Sequence, residues 1–173
     1  MKSDVTAVDI TLRDGRAVHI RAMHPADEAE ILQAFERLSQ DARYMRFMRT
    51  VREVNLERLR KTLASFPACG LGIVATAPAT DGIDVVGSAI FVIGSDPATC
   101  EFAITIAAGY GGAGLGRTIL TALIAAAKQR GLKEMEGFVL AANKPMLGLA
   151  ARVGFGVSPD PDDPSVRICR LRL

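Results

Sequence analysis

The densest cluster of candidate chemistry is the segment 107–118, Ala-Ala-Gly-Tyr-Gly-Gly-Ala-Gly-Leu-Gly-Arg-Thr, which holds five glycines within eight residues. So many glycines carry an entropic cost that an ordinary surface turn does not require. The segment lies between a strand-like apolar run, residues 100–107, and an amphipathic helical run, residues 117–130. Loop amides before a helix N-terminus suit phosphate oxygens. The pattern predicts an anion-binding loop, and the alternative is a tight turn with close packing of the helix on the sheet.

Two general phosphate motifs overlap in this loop, and each lacks its usual setting. Residues 109–114 satisfy G-x-G-x-x-G, but a dinucleotide-binding fold begins with that loop and has an acidic residue about 20 positions later, which this chain lacks. Residues 111–118 nearly satisfy the P-loop pattern, with Arg117 in place of the lysine. The remaining chain is too short for an NTPase sheet. A nucleotide-binding switch stays an alternative, which predicts magnesium-dependent binding of ATP or GTP.

The elements that must position the loop follow from apolar spacing and turn residues. An antiparallel meander precedes the strand–loop–helix–strand unit, which indicates an α/β (α+β) domain with a mixed sheet. Predicted strands cover residues 8–12, 17–23, 70–77, 83–93, 100–107, 135–140 and 166–173, and predicted helices cover residues 27–38, a segment capped by Asn55, and residues 117–130 and 145–153.

Composition bounds the class of protein. The 173 residues fit a single domain, 1–173, and the hydrophobic share of 49% with 23% charged residues excludes a disordered chain. Lysine plus arginine is 21 and aspartate plus glutamate is 19, a net charge of +2. This balance indicates neither nucleic acid nor an anionic membrane as a partner. Glycines and prolines interrupt the weakly charged stretches 62–80 and 102–127, so no membrane span is predicted.

The cysteines and histidines do not form a metal-ligand pattern. Cys69, Cys100 and Cys169 are far apart and odd in number, so we expect neither a zinc site nor a disulfide, and we expect all three in the core. His19 and His24 lie far from any cysteine or acidic cluster, and a structural role is expected for each. No metal site is predicted, and a reducing cytoplasm suits this use of cysteine.

A third motif fits the loop better, and with it the chain resembles the GNAT superfamily of N-acetyltransferases. The family signature, [Q/R]-x-x-G-x-[G/A], lies between the fourth strand and third helix and binds the pyrophosphate of acetyl-CoA. Gly114 and Gly116 match its two small positions. Residues 143–149, followed by Gly154-Phe155, resemble the family's N-x-x-M-L-x-L…G-F element.

Two further segments narrow the resemblance to one branch of the superfamily. Residues 38–47, with their Leu-Ser…Arg-Tyr-Met-Arg-Phe pattern, and residues 101–105 are similar to bacterial protein lysine acetyltransferases, some of which act on acyl-CoA synthetases. The resemblance covers residues 18–171. It implies a mixed, mostly antiparallel sheet of six to seven strands, flanked by about four helices.

The resemblance also assigns roles at the site. A free lysine has a pKa of about 10.4 and must lose a proton before it attacks, so the reaction needs a base. The resemblance implies that Glu101 is this base. The alternative is that Glu101 is an exposed carboxylate paired with an arginine. Cys100 points to the opposite strand face, so it is not expected to act as a nucleophile. The implied acetyl-CoA contacts are backbone groups of Ile104, Thr105 and Ile106, the loop residues Gly111, Gly112, Ala113, Gly114, Leu115, Gly116 and Arg117, and the side chain of Asn143.

Several of these residues have a plainer alternative. Ile104 and Ile106 also suit core packing, and Asn143 also suits a helix N-cap. The arginines Arg43, Arg46, Arg49 and Arg52 recur at every third position. We expect them to form a solvated helix face; an acidic protein surface or the 3′-phosphate of CoA is the alternative contact.

Three positions depart from the family pattern. Gly111 replaces the glutamine or arginine of the signature, and Ala113 stands where a basic residue is common. Ala150 takes the place of the tyrosine with which many relatives protonate the leaving thiolate. These departures motivate one alternative, a non-catalytic acyl-CoA-binding module.

The sequence thus predicts a cytoplasmic, acetyl-CoA-dependent N-acetyltransferase. We expect direct transfer of the acetyl group to a primary amine, preferably a protein lysine. The alternative acceptor is a small amine, such as a polyamine, an amino acid or an antibiotic. Neither nucleic acid nor a membrane is an expected partner, and a homodimer stays open.

Overall fold

The computed structural model of the protein describes residues 5–173. Within them one eight-stranded sheet has the order β1-β2-β3-β4-β5-β6-β8-β7. All neighbouring strands are antiparallel except β5 and β6, which are parallel. The strands are β1 (Val8–Thr11), β2 (Ala17–Ala22), β3 (Gly70–Ala79), β4 (Gly82–Ile93), β5 (Thr99–Ile106), β6 (Glu134–Leu140), β7 (Gly156–Pro159) and β8 (Val166–Arg172).

Five α-helices and one 3₁₀ turn, Pro25–Asp27, complete the described part of the chain. The predicted class and the mostly antiparallel mixed sheet are confirmed, but the predicted counts are low by one strand and one helix. The strand without a prediction, β7, is exposed at every residue and shows no alternation. The helices are α1 (Glu28–Glu36), α2 (Gln40–Phe47), α3 (Leu56–Ser65), α4 (Leu115–Gln129) and α5 (Lys144–Arg152).

The helices cover both faces of the sheet, as two adjacent residues of β4 demonstrate. A Cβ atom placed on Gly87 would lie 3.2 Å from Leu115 Cδ2 of α4. The next residue, Ser88, lines a small cavity together with Ala34 of α1, which packs on β4. Successive residues of a strand face opposite sides. The helix after the glycine loop therefore packs on one face, and α1 packs on the other.

The apolar core forms where a continuous hydrophobic stripe of α4 packs on the sheet. Its side chains Leu115, Ile119, Leu120 and Leu123 are fully buried against the sheet. Beyond its C-terminus Gly131 takes a left-handed φ of +77°, which suits a residue without a Cβ atom. This packing holds the N-terminus of α4 in place directly after the glycine loop.

The sheet opens between β5 and β6. Their parallel pairing ends at Glu101 and Glu136. Beyond that point β5 stays paired with β4 as far as Ile106, and β6 stays paired with β8 as far as Leu140. The two strands therefore separate, and one edge of β5 beyond Glu101 has no strand partner among the described residues.

Two of the three cysteines lie in the core, as expected, and one does not. Cys100 and Cys169 are buried, whereas Cys69 is exposed because it lies in the turn between α3 and β3. Across residues 5–173, no group of three or more histidine, cysteine or acidic side chains is placed to hold a metal ion. In the same range, every helix is too short or too polar to cross a membrane.

Candidate active site

A cleft of about 1710 Å³ runs over β4 and β5, between the α1–α3 side of the molecule and the glycine loop with α5. The predicted base Glu101 lines it, as does Asn143. The structure thus brings the predicted residues together, with one exception: the Leu115 side chain is fully buried in the core. The other predicted cofactor residues on the cleft wall are Ile104, Thr105, Ile106, Gly111, Gly112, Ala113, Gly114, Gly116 and Arg117.

The glycines of the loop serve two different purposes. Gly109, Gly112 and Gly114 have φ values of +81°, +75° and +95°, a conformation that costs other residues about 1–2 kcal/mol. A Cβ atom on Gly112 would meet nothing within 4 Å, so there is room above the loop. Gly116 instead allows close packing, because its Cβ atom would lie 3.0 Å from Leu149 Cδ2 of α5. The anion-loop and packing interpretations therefore apply to different residues.

The end of the loop has the features of an anion site. Gly114 is the N-cap of α4, so the amides of Leu115, Gly116 and Arg117 belong to its first turn. Amides of a first turn have no acceptor within the helix, and they lie at the positive end of its dipole. The exposed Arg117 adds a cationic side chain at the same end of the cleft.

The turn of the β1–β2 hairpin contacts the loop through two arginines, a contact that the sequence did not predict. Arg13 donates from Nη2 to the Gly112 carbonyl at 2.9 Å, and its amide donates to the Ala113 carbonyl at 3.2 Å. Arg16 donates to the Gly109 carbonyl at 2.6 Å, and its guanidinium lies 3.9 Å from the centre of the Tyr110 ring. More than 90 positions of sequence separate the partners. Apolar periodicity carries no signal for contacts over that separation.

Glu101 lies where β5 and β6 begin to separate. Within the described range it forms no ion pair, so the alternative of a carboxylate paired with an arginine is not found. Burial and the neighbouring Glu136 raise its pKa, and Arg46 opposes them; the net pKa is higher than usual. A carboxylate with a raised pKa on the wall of a cleft suits proton transfer.

This geometry can be compared with known proteins. A family model for the acetyltransferase (GNAT) domain matches residues 18–156. The chain belongs to the GNAT acetyltransferases. It is therefore an N-acetyltransferase, with acetyl-CoA as the donor of the acetyl group.

Three known proteins are similar to this chain. Acetyltransferase PA5475 of Pseudomonas aeruginosa is 31% identical over 163 residues, which cover 94% of this chain and 88% of that protein. The GNAT domain of S. lividans PAT is 19% identical with a TM-score of 0.84, over 96% of this chain and 97% of that one. The yncA protein of Salmonella typhimurium, solved with its cofactor acetyl-CoA, is 20% identical with a TM-score of 0.68, over 90% and 92% of the two chains. The two structural matches show the fold.

The expectation that the arginine ridge, which consists of Arg43, Arg46, Arg49 and Arg52, forms a solvated helix face is wrong for two of the four residues. Arg49 and Arg52 are exposed, but Arg43 and Arg46 are half-buried because α2 packs on β5 and β6. Arg43 lies 4.3 Å from the centre of the Phe35 ring. Its guanidinium also donates to main-chain carbonyls of α1 and of residue 52. This arginine holds the helices together.

Arg46 lies in the GNAT cleft itself. Its Nε donates to Thr105 Oγ1 at 3.1 Å, from α2 to the strand that carries Glu101. Burial lowers the pKa of Arg46, and the negative charge of Glu101 opposes that effect. The regular spacing of the ridge did not distinguish this residue from its exposed neighbours.

Two positions of α5 bear on the GNAT chemistry. Asn143 Oδ1 accepts the Met146 amide at 3.3 Å, so the side chain is the helix N-cap, and it also lines the cleft. Its contact with the cofactor stays a prediction. Ala150 is fully buried, so this position presents no proton donor to the cleft.

Cys100 and the two histidines lie in surroundings that give them no catalytic role. Burial raises the pKa of the Cys100 thiol to about 11, which keeps it from acting as a thiolate nucleophile near neutral pH. His24 caps the 3₁₀ turn through Nδ1, and His19 Nδ1 lies 2.7 Å from Asp9 Oδ1.

Proposed function

We propose that this single domain transfers an acetyl group from acetyl-CoA directly to the side-chain amine of a protein lysine, with Glu101 as the base. The observation that carries the proposal is the place of Glu101. It has a raised pKa, has no ion-pair partner among residues 5–173, and lies at the point where β5 and β6 separate.

The cleft offers groups for the pyrophosphate and for the pantetheine arm of acetyl-CoA. The segment 111–117 offers loop and first-turn amides for the pyrophosphate, with room above the glycines. The unpaired edge of β5 at residues 104–106 offers backbone groups for the pantetheine arm. The side chains of Ile104 and Ile106 pack against the core, which leaves the backbone for the cofactor. Asn143 adds a polar group at the α5 side of the cleft.

The chemistry divides between Glu101 and the strand backbone. The Glu101 carboxylate takes a proton from the lysine ammonium, directly or through a water molecule. The neutral amine then attacks the thioester carbonyl carbon, and an amide of β5 stabilises the charge on the carbonyl oxygen. A C–N bond forms, the C–S bond breaks, and the thiolate leaves. The nitrogen, which became positively charged on attack, gives its second proton to water, so the product is the neutral amide.

The thiolate takes its proton from water in this proposal. The position of the family tyrosine, Ala150, is buried and has no polar atom on its side chain. The reacting end of the cleft, at Glu101, is exposed to solvent. Solvent water can therefore donate the proton to a thiolate that leaves at this end of the cleft.

The same exposure supports a protein acceptor. Glu101 and Val92, which are paired across β5 and β4, are both exposed at this end of the cleft. A site for a small ligand usually buries most of that ligand. A lysine side chain presented by a large surface needs only to reach the base. The resemblance of residues 38–47 and 101–105 to protein lysine acetyltransferases points the same way.

The test is an acceptor screen with labelled acetyl-CoA. One arm contains folded proteins, acyl-CoA synthetases among them, and the other contains lysine, polyamines, other amino acids and amine antibiotics. We expect label on protein lysines, located by mass spectrometry, and little transfer to free amines. Transfer to free amines alone would contradict the lysine acceptor, and acetyl-CoA binding without transfer to any acceptor would favour the non-catalytic module.

A further inference from the structure

We propose that Arg13, on the β1–β2 hairpin, is a further cofactor-binding residue whose guanidinium binds the pyrophosphate of acetyl-CoA. The inference rests on the proposed placement of the pyrophosphate on the glycine loop. Within the segment 111–117 only Arg117 is cationic, because Gly111 and Ala113 carry no charge. The missing charge comes from another part of the chain.

The Arg13 guanidinium lies against the part of the loop that leads into α4. Its Nη2 donates to the Gly112 carbonyl at 2.9 Å, and a Cβ atom on Gly114 would lie 3.6 Å from its Nε. The Arg13 amide donates to the Ala113 carbonyl, which holds the backbone in place as well. A guanidinium has five N–H groups, and within residues 5–173 only the bond to Gly112 uses one. The others remain for a ligand.

The charges around Arg13 also favour the binding of an anion. A cation beside the N-terminus of a helix is unfavourable, because the dipole is positive there. The neighbouring Arg16 is compensated by Asp14, whose Oδ2 accepts its Nε at 3.0 Å. Arg13 has no carboxylate partner in the described part of the chain. Together with Arg117 and the first-turn amides, it leaves a concentration of positive charge that a diphosphate would balance.

Both arginines open onto the same space. Arg13 and Arg117 both line the large cleft, together with Gly112 and Gly114 of the loop. Arg16, which contacts the loop from outside, is absent from the cleft wall. The hairpin therefore contributes one arginine as an anchor and one as a ligand-facing residue.

The test is calorimetric titration of Arg13→Gln with acetyl-CoA at about 50 mM and about 500 mM NaCl, since salt screens an exposed charge contact. We expect about tenfold weaker binding than wild type at low salt and about twofold weaker binding at high salt. Arg13→Lys, which keeps the charge, should recover most of the low-salt affinity. Arg172→Gln is the matched control, because the register of β8 with β6 places Arg172 at the opposite end of the sheet.

The probe 3′-dephospho-CoA, which keeps the pyrophosphate, should show the same loss in Arg13→Gln. A loss of affinity that appears with CoA but not with 3′-dephospho-CoA would assign Arg13 to the 3′-phosphate and overturn the proposal. An equal loss at both salt concentrations would make Arg13 a structural anchor only, and wild-type affinity in Arg13→Gln would also overturn the proposal. If the wild-type protein fails to bind acetyl-CoA, the cofactor placement itself is wrong.

Discussion

Arg46 Nε donates to Thr105 Oγ1 at 3.1 Å, and this bond fixes a cation on the strand face that carries Glu101. Thr105 and Glu101 are four residues apart on β5, so their side chains share one face of the sheet. Glu136 is the register partner of Glu101 on β6. A negative and a positive side chain therefore act on the candidate base, and they shift its pKa in opposite directions.

Removal of the cation should raise the pKa of Glu101 further. The base works as a carboxylate, so the acid limb of kcat/KM follows its pKa. In Arg46→Met we expect this limb at higher pH than in the wild type. Thr105→Val, which breaks the hydrogen bond but keeps the charge, should move the limb less. The measurement is a pH profile of kcat/KM for each variant, and an unchanged limb in Arg46→Met would show that Arg46 does not act on the base.

Removal of the neighbouring carboxylate should have the opposite effect. Glu136 raises the pKa of Glu101, so Glu136→Gln should shift the acid limb to lower pH. Glu136 also accepts a hydrogen bond from Arg170 Nε at 3.2 Å. Arg170→Gln therefore controls for the loss of that pair, since it keeps the carboxylate. A shift to higher pH in Glu136→Gln would contradict the electrostatic account.

A cationic side chain on the loop should strengthen cofactor binding. A Cβ atom on Gly111 would meet nothing within 4 Å, and Gly111 is not among the glycines with a positive φ. Gly111→Arg should therefore fold normally and bind acetyl-CoA about tenfold more tightly through a charge-assisted hydrogen bond. Ser95→Arg adds the same charge in the turn before β5, at the far end of the strand, and should leave the affinity unchanged. Equal affinities of Gly111→Arg and wild type in calorimetry would contradict placement of the phosphates here.

The ion pair between Asp27 and Arg21 should contribute to the free energy of unfolding. Asp27 is buried and accepts from both Nη atoms of Arg21 at 2.8 Å. Asp27→Asn leaves Arg21 without its charged partner, so we expect a loss of about 3 kcal/mol in the free energy of unfolding at pH 7. Asp162→Asn, at an exposed position, is the control.

The contribution of Asp27 should also depend on pH. Burial raises its pKa, but the hydrogen bonds from Arg21 and the His24 amide outweigh burial and lower it. Stability from a carboxylate with a lowered pKa is complete above its unfolded pKa of about 3.9 and is lost as the pH falls through the folded value. In thermal unfolding the Tm gap between wild type and Asp27→Asn should therefore narrow below about pH 4. A constant gap down to pH 2 would exclude this linkage.

The sequence predicted most of the sheet because apolar runs and turn residues are local signals. The strand β5 and the helix α4 lie within two residues of their predicted bounds, since their pattern is continuous. The helix α2 had no such signal, because none of its residues is fully buried. Its arginines had one spacing but different surroundings, so the burial of Arg46 depended on a strand almost 60 positions away.

The candidate site was predictable in part for the same reason. Glu101 and the loop lie on one continuous segment, whereas the Arg13 contact joins residues 99 positions apart. The exposure of Cys69 was not predictable from its residue type either. Its residue type favours the core, but the turn between α3 and β3 leaves it exposed. Such contacts arise from the packing of distant elements, which periodicity does not encode.

The most direct test of the account is turnover of Glu101→Gln with acetyl-CoA and a lysine acceptor, alongside calorimetric binding of acetyl-CoA. Glu57→Gln, an exposed carboxylate on α3 outside the cleft, is the matched control. Loss of a general base predicts turnover lower by about 10²–10⁴-fold, with acetyl-CoA affinity within about twofold of wild type. Turnover of Glu101→Gln at the wild-type level would contradict the central claim, because the base would then lie elsewhere.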